Sequence, residues 1–398
     1  MKKVCFVAGQ FPVKSQTFVI NQIVETIKNK FDVTVLTYQK FPVENSSQKE
    51  IVNHIKLYEI VNEIDFKIPK NSFIKFCKYV YAGLKNINYI IRCRKLINPL
   101  KIEFFKKFNH IDVFHVHFGE YALDVALMKK IGVLKMKLIV TFHGYDAHYK
   151  DDDDKNKLKQ QYEDLFLIAD VITVNTLYLK QLIIDLGGIP ERIKIIPMGV
   201  DVDFFKVKKP RIINLKNTIE LISVGRLIEL KGFQYSIQAI KKVLDKGYKI
   251  NYTIIGFGRF KLELQELINN LNLNNNVFLV GSKNQNEILK YFKKAHVFLM
   301  SSITDSSGRC EAQGLVTVEA QASSLPVIAF DSGGVKYTLK NKETGFLIKE
   351  KDTEAYAATI IKLISNQQLY RSLAHEAEIF ASKYFNLEIT SKEMISLY

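Results

Sequence analysis

Two glutamates, Glu311 and Glu319, stand eight positions apart in the stretch 311–320, after an apolar run and a loop rich in Ser, Asp and Gly. If a helix begins at about Leu315, Glu319 lies one turn inside it and Glu311 lies on the preceding loop. Carboxylates so placed would bracket a long ligand: Glu319 would accept hydrogen bonds from a ribose diol, and Glu311 would face a sugar at the other end. The alternative is an ordinary helix start with acidic residues nearby.

The start of that predicted helix is itself a candidate anion site. The backbone amides of Gly314, Leu315 and Val316 would lack partners within the helix and would point outward at the positive end of its dipole. A diphosphate group is the ligand that fits such a site.

Two cations follow another apolar run. Arg226 and Lys231 lie in the segment 223–232, which ends a run of β-branched residues and enters a helix. Together they can neutralise a departing diphosphate without a metal, because Arg offers a bidentate fork and Lys a point charge. Taken alone, each is more simply explained as a surface cation. Taken with Glu311 and Glu319, they describe a site for one nucleotide-diphosphate sugar.

The elements that position these residues form two similar halves. Short β-branched runs alternate with helical stretches, which is typical of parallel sheets with crossover helices. The predicted strands are Lys3–Ala8, Asp32–Thr37, Val113–His117, Lys137–Phe142, Val171–Asn175 and Ile193–Ile196, then Ile219–Val224, Lys249–Ile255, Val277–Val280, Val297–Ser301 and Pro326–Phe330. Ligands of such sheets bind beyond the carboxyl ends of the strands. The predicted fold class is therefore α/β, with two Rossmann-like domains and a cleft between them.

Eight motifs occur in a consistent order along the chain. They are Phe11–Phe18, His115–Gly119, Thr141–Asp146, Ile196–Asp201, the pair Arg226 and Lys231, Ile254–Gly258, the pair Glu311 and Glu319, and Pro326–Ala329. In these motifs, from about residue 4 to 385, the chain resembles the family 4 retaining glycosyltransferases of the GT-B fold, of the type that builds bacterial exopolysaccharide, capsule and O-antigen.

The resemblance implies a domain plan and a reaction. It implies an acceptor-binding domain over 1–200, a nucleotide-sugar-binding domain over 201–375, and a C-terminal helix over 376–398 that crosses back toward the first domain. The implied enzyme is a metal-independent hexosyltransferase that uses no cofactor. It moves a sugar from a nucleotide-diphosphate sugar to a growing, lipid-linked or oligosaccharide acceptor.

The resemblance also implies roles for single residues. The implied catalytic group consists of Glu311, Arg226, Lys231 and His143, the last being a histidine at the domain cleft near the reacting sugar. The implied donor-binding group consists of Gly9, Gly314, Leu315, Val316 and Glu319, with Gly9 on the first loop of the acceptor domain. His117 and Asp146 are the implied acceptor-side residues.

Composition limits the compartment. No stretch approaches the ~20 apolar residues of a membrane-spanning helix, and Gln10 and Pro12 interrupt the N-terminal run that imitates a signal peptide. The four cysteines have neither disulfide-framework nor metal-ligand spacing. His115 and His117 alternate on a predicted strand but have no evident third ligand, so no metal site is expected. The sequence predicts a cytoplasmic protein.

The charge is uneven. The chain carries 57 Lys and Arg against 41 Asp and Glu, a net charge of +16. Most of the excess lies in the segment 66–110, where cations alternate with aromatic residues. Such a segment can lie on an anionic membrane surface, at the inner face of the cytoplasmic membrane, or it can pack its aromatics inward. No nucleic-acid-binding pattern accompanies it, so nucleic acid is not an expected partner.

Two other functions remain open at this point. One is a non-catalytic subunit on the membrane face that binds glycan or nucleotide, although it would not need both cations and both glutamates. The other is a GT-B sugar-nucleotide epimerase, which the motifs around His143 and Phe11–Phe18 disfavour.

Overall fold

Two parallel sheets organise the chain in the computed structural model, which describes residues 1–13, 16–66, 73–93, 97–207 and 211–398. The strands of the first sheet are β1 Lys3–Phe11, β2 Asp32–Lys40, β3 Val61–Glu63, β4 Val113–His117, β5 Lys137–Thr141, β6 Val171–Val174 and β7 Ile193–Ile195. Their order is β3-β2-β1-β4-β5-β6-β7. Every paired neighbour is parallel, with His117 opposite Thr141 where β4 and β5 end.

The second sheet has the same construction. Its strands are β8 Ile219–Val224, β9 Ile250–Ile255, β10 Val277–Leu279, β11 Val297–Met300, β12 Val327–Phe330 and β13 Gly345–Ile348. Their order is β10-β9-β8-β11-β12-β13, again with parallel pairs. The predicted α/β class with two Rossmann-like halves is confirmed.

Helices connect the strands. They are α1 Thr17–Lys28, α2 Lys49–His54, α3 Phe73–Lys85, α4 Ile87–Cys93, α5 Pro99–Lys106, α6 Gly119–Lys130, α7 Asp152–Ile168, α8 Leu177–Asp185, α9 Val202–Phe205, α10 Phe233–Asp245, α11 Lys261–Asn270, α12 Gln285–Lys294, α13 Leu315–Ala322, α14 Thr353–Ile364, α15 Gln367–Tyr384 and α16 Leu387–Ile395. Each sheet has separate clusters of buried apolar residues packed against it, as expected where helices cover both faces of a parallel sheet. Among the described residues, no helix is long and apolar enough to cross a membrane.

The first strand differs from the prediction. It was expected to end at Ala8 with Gly9 on a loop, but β1 continues through Gly9 to Phe11. Gly9 is needed there for space, because a Cβ on it would lie 2.0 Å from the ring of Tyr121. The short strands β3 and β13 were not predicted, and each lies at one edge of its sheet.

The chain divides into two compact units. The first comprises Met1–Asn175, Leu179–Ile196 and Ser391–Tyr398, and the second comprises Thr176–Tyr178 and Pro197–Thr390. The domain limits predicted at residues 200 and 375 stay predictions.

The basic segment 66–110 contains both buried aromatic residues and exposed apolar residues. Its aromatic residues Phe66, Phe104, Phe105 and Phe108 pack with the core of the first unit. Helices α3 and α4, by contrast, present an outward set of apolar side chains that are between 41% and 71% exposed, which we call the apolar stripe: Phe76, Val80, Tyr81, Leu84, Ile87 and Ile91. Lys67, Lys70, Arg94 and Lys95 of this segment lie outside the described residues.

Tyr398 closes a buried polar network in the first unit. Its hydroxyl lies 2.7 Å from Nδ1 of His115 and accepts a hydrogen bond from the Gln22 amide at 3.0 Å. Nε2 of the same imidazole lies 2.6 Å from the hydroxyl of Thr141. Tyr398 therefore ties the segment Ser391–Tyr398 to strand β4.

Removing the Tyr398 hydroxyl should destabilise the first unit. Tyr398→Phe keeps the ring but leaves His115 with the weaker 3.2 Å contact to Gln22, so we expect the free energy of unfolding to fall by about 1 kcal/mol. Urea unfolding followed by circular dichroism measures this change. Tyr384→Phe, at a ring that is 44% exposed on α15, is the control and should change stability by less than about 0.5 kcal/mol. Equal effects of the two variants would contradict this account of the network.

Candidate functional site

Lys231 and Glu311 form the centre of the candidate site in the second unit. Lys231 ends a short turn, Glu229–Lys231, that follows strand β8, and Glu311 precedes helix α13. The Lys231 Nζ atom lies 2.5 Å from Oε2 of Glu311. Both side chains are mostly buried, at 11% and 21% exposed. Residues 80 positions apart are thus joined by a short, charge-assisted hydrogen bond.

Three cations determine the charge of Glu311. Burial alone would raise the pKa of its carboxyl, but Lys231, Arg226 and Arg309 together lower that pKa below its ordinary value. Glu311 is therefore ionised at neutral pH. Arg226 is itself exposed, so its guanidinium acts on Glu311 while remaining accessible to solvent.

Helix α13 begins where it was predicted to begin. Gly314 stands at its N-cap with φ +83°, a conformation that suits glycine. Among the described residues, no acceptor is bonded to the amides of Gly314, Leu315 and Val316. A Cβ on Gly314 would lie 3.6 Å from Cγ of Glu311. The structure therefore places the free amides beside the Lys231–Glu311 pair.

Glu319 lies one turn into α13, as predicted, and is 7% exposed. No hydrogen bond or ion pair to its carboxyl is found within the described part of the chain. Burial raises the pKa of this carboxyl from its ordinary 4.5 to about 8. At neutral pH it is mostly protonated, so it can donate one hydrogen bond and accept others.

The loop that carries Glu311 is held by contacts that the sequence did not reveal. The Gln313 side chain, 1% exposed, accepts a hydrogen bond from the Met198 amide and donates one to the Met198 carbonyl, both at 3.0 Å. The Thr176 hydroxyl donates to the Ala312 carbonyl at 2.8 Å. These contacts join residues more than 100 positions apart, and no local pattern signals them.

Arg309 is a third cation that the prediction missed. One of its terminal nitrogens lies 3.2 Å from Oδ2 of Asp305, whose Oδ1 accepts from the Arg309 amide at 3.1 Å. Its Nε atom is buried and has no partner among the described residues. The only signal in the sequence was a basic residue two positions before Glu311.

In the first unit, His117 and His143 come together where strands β4 and β5 end. His117 Nδ1 lies 3.1 Å from His143 Nε2, and the two rings stack with centroids 5.3 Å apart. The rings of Phe18 and Phe118 also pack on His143, at 4.4 Å and 4.6 Å. Burial lowers the pKa of His117 to about 3 and holds the pKa of His143 well below its ordinary value. Both imidazoles are therefore neutral at neutral pH.

The Asp146 carboxylate accepts hydrogen bonds from backbone amides. Its Oδ1 accepts from the amides of His143 and Gly144 at 3.0 Å and 2.9 Å, and its Oδ2 accepts from the amide of Gly119 at 2.9 Å. The residue is 4% exposed, and burial raises its pKa to about 6 in spite of these amides. Asp146 thus fixes the loop that carries His143; its acceptor-side role stays a prediction.

The predicted residues fall into two groups. Arg226, Lys231, Glu311 and Gly314 lie together in the second unit. Leu315, Val316 and Glu319 follow on helix α13. Gly9, His117, His143 and Asp146 belong to the first unit. Among the described residues, no group of three or more His, Cys, Asp or Glu is arranged to hold a metal ion. The roles assigned to all of these residues, and the independence from metal, stay predictions.

The raised pKa of Glu319 predicts how stability depends on pH. Between about pH 4.5 and 8 the folded state keeps a proton that the unfolded state has lost, so the unfolding free energy falls by at most ~1.4 kcal/mol per pH unit through this group. Gln cannot ionise. We therefore expect Glu319→Gln to be more stable than the parent at pH 9 but close to it at pH 5, in urea unfolding at both values.

The control for this prediction is Glu376→Gln, at an exposed carboxyl on α15. It should leave the pH dependence unchanged. If Glu319→Gln also shows the parent's pH dependence, Glu319 does not titrate as described.

Two family models match consecutive parts of the sequence. A model described as Glycosyltransferase Family 4 matches residues 16–204, and one described as Glycosyl transferases group 1 matches residues 205–380. Together they span nearly all of the chain, including both groups of candidate residues.

Curated proteins match over the whole length. The chain is 28% identical to the amylovoran biosynthesis glycosyltransferase AmsK of Erwinia amylovora, over 99% of this chain and 98% of that protein. It is 27% identical to the putative colanic acid biosynthesis glycosyltransferase WcaL of Escherichia coli K12, over 99% of both.

Solved structures share the fold. Anabaena HepE in complex with UDP matches with a TM-score of 0.77 at 17% identity, over 100% of this chain and 99% of that one. A glycosyltransferase from Rickettsia africae matches with a TM-score of 0.73 at 20% identity, over 100% and 97%. The motifs, the two family models and the two-sheet fold show that the chain belongs to the family 4 glycosyltransferases of the GT-B fold.

Proposed function

We propose that this glycosyltransferase moves a sugar, with retention of anomeric configuration, from a nucleotide-diphosphate sugar to a growing, lipid-linked surface polysaccharide. The observation that carries the proposal is the Lys231–Glu311 pair beside the free amides that begin α13. A lysine has three N–H donors, and Glu311 engages one of them, so others remain for phosphate oxygens.

Stabilisation of the departing diphosphate is the main catalytic task in this proposal. Negative charge grows on the phosphate as the bond to the sugar breaks, while the sugar gains oxocarbenium character. Arg226, Lys231 and the amides of residues 314–316 supply fixed positive charge and oriented donors for that anion. No metal is needed for this task, which supports a metal-independent hexosyltransferase.

The two glutamates bind opposite ends of the nucleotide-sugar donor. Glu319 faces the ribose, where a protonated carboxyl can both donate to and accept from a diol. Glu311 stays ionised and contacts the sugar. Retention is assigned to front-side attack by the acceptor.

The comparisons support the substrate classes. The names of AmsK and WcaL refer to biosynthesis of amylovoran and colanic acid, and structures of HepE contain UDP, UDP with glucose, or UDP-glucose. A nucleotide-sugar donor and an exopolysaccharide acceptor are therefore proposed here. In the first unit, His117 and Asp146 would serve the acceptor side, and His143 would lie near the reacting sugar.

Peripheral attachment to the inner face of the cytoplasmic membrane is part of the proposal. The apolar stripe is exposed on α3 and α4, and the same two helices carry the exposed cations Lys78, Lys85 and Arg92. An amphipathic surface of this kind can insert apolar side chains at the headgroup boundary while each cation gains about 1 kcal/mol from anionic lipid. A lipid-linked acceptor would then be bound where it is made available.

Loss of either phosphate-binding cation should reduce turnover. Lys231→Ala and Arg226→Ala remove one preorganised donor each, which typically costs about 10²–10³ in rate. Release of free nucleotide from a panel of UDP-, GDP- and ADP-sugars identifies the donor, and the same assay then measures the variants. Circular dichroism checks that the fold is intact.

Matched controls are Lys246→Ala and Arg371→Ala, at exposed cations of the second unit outside the site. Both should keep parental turnover. Near-normal turnover of Lys231→Ala or Arg226→Ala would contradict the phosphate assignment. Binding without nucleotide release would favour the non-catalytic subunit, and a changed sugar on the recovered nucleotide would favour the epimerase.

Membrane attachment should depend on the apolar stripe. Replacement of Phe76, Leu84 and Ile91 by Ser should abolish cosedimentation with vesicles that contain anionic phospholipid, and added salt should weaken binding of the parent. Leu262→Ser, at a leucine that is 74% exposed in the second unit, is the control and should bind like the parent. If neither salt nor the triple substitution changes binding to the vesicles, membrane attachment through the apolar stripe is contradicted.

A further inference from the structure

The contact between His117 and His143 has a consequence for the proton on each ring. Their 3.1 Å contact joins Nδ1 of His117 to Nε2 of His143, so one of these nitrogens donates and the other accepts. The remaining nitrogens, Nε2 of His117 and Nδ1 of His143, are buried and have no partner among the described residues.

Both rings are neutral, so the pair holds two N–H groups. Burial keeps the pKa of each imidazole well below neutrality. One N–H lies in the contact, and the other lies either on Nε2 of His117 or on Nδ1 of His143. The choice between these two positions decides what His143 offers to a ligand.

The different burial of the two residues indicates which nitrogen carries the second proton. Among buried backbone groups an orphaned N–H is rarer than an under-satisfied acceptor, and the same preference is taken to hold for the two rings. His117 is 0% exposed and is stacked between the rings of His115, at 4.7 Å, and His143. His143 as a whole is only partly buried, so a modest movement of its ring would let a ligand reach Nδ1, although that atom is itself covered. The free N–H therefore belongs on Nδ1 of His143.

We propose that His117 is a positioning residue that donates its Nδ1–H to Nε2 of His143 and thereby holds His143 as the Nδ1–H tautomer, a hydrogen-bond donor for a sugar or phosphate oxygen. That the oxygen belongs to the reacting sugar rests on the proposed function. The tautomer itself does not, because it follows from contacts within the first unit.

The rest of the strand supports this arrangement. His115, on the same face of β4, is held separately by Thr141 and Tyr398. It stacks on His117 but takes no part in the His117–His143 hydrogen bond. His115 thus provides a control at an equally buried histidine of the same strand.

Nitrogen NMR of the full chain with labelled histidine tests the proposal without any substrate. At pH 7.5 the spectrum should show that His117 and His143 both carry the proton on Nδ1 and have a bare Nε2. The His143→Gln and His117→Gln spectra assign the signals among the eight histidines. A parent His143 with its proton on Nε2 would overturn the proposal.

Two substitutions at His117 separate positioning from mere packing. In His117→Asn the amide lies near the position of Nδ1 and can still donate, so His143 should keep its Nδ1–H signal. In His117→Gln the amide is displaced toward the position of Nε2, so the His143 proton should move to Nε2. His115→Asn should leave the His143 signal unchanged. The same His143 tautomer in the Asn and Gln variants would show that His117 does not set it.

Discussion

The candidate site of the second unit depends on one ion pair, in which a lysine and a glutamate lie together at the carboxyl end of a parallel sheet and both stay charged. Lys231 and Glu311 are 2.5 Å apart, and burial would discharge the glutamate if Lys231, Arg226 and Arg309 were absent. The turn after β8 and the loop before α13 must both be held for this pair to exist. Gln313, Thr176 and Asp305 hold the loop through backbone groups and Arg309.

The first unit differs electrostatically from the second, because its candidate site residues include neutral imidazoles. Burial keeps its three stacked imidazoles, His115, His117 and His143, neutral, and neighbouring histidines also lower the pKa of His115 and of His143. Asp146 fixes the backbone around His143. Neutral imidazoles interact with ligands through directed hydrogen bonds, whereas the cations of the second unit act through charge. The two units thus present different chemistry to a ligand.

The elements that depend on a local sequence pattern were predicted correctly. Strands β4 and β8 and the start of α13 at Leu315 match the prediction, because β-branched runs and a glycine N-cap are local signals. The edge strands β3, Val61–Glu63, and β13, Gly345–Ile348, were missed because neither contains a run of β-branched residues. Strand β1 continues past Gly9, where the Tyr121 ring leaves no space for a Cβ. Gln313 was missed because its partner, Met198, is 115 positions away. Arg309 was missed because one cation in a polar loop is not a distinctive pattern, although its partner Asp305 is only four positions away.

A crystal structure of the chain with a bound nucleoside diphosphate tests the central claim most directly. The account predicts phosphate oxygens within hydrogen-bonding distance of Lys231 Nζ, the Arg226 guanidinium and the amides of Leu315 and Val316, with the ribose at Glu319. Phosphates bound elsewhere, with Lys231 still engaged only by Glu311, would contradict it.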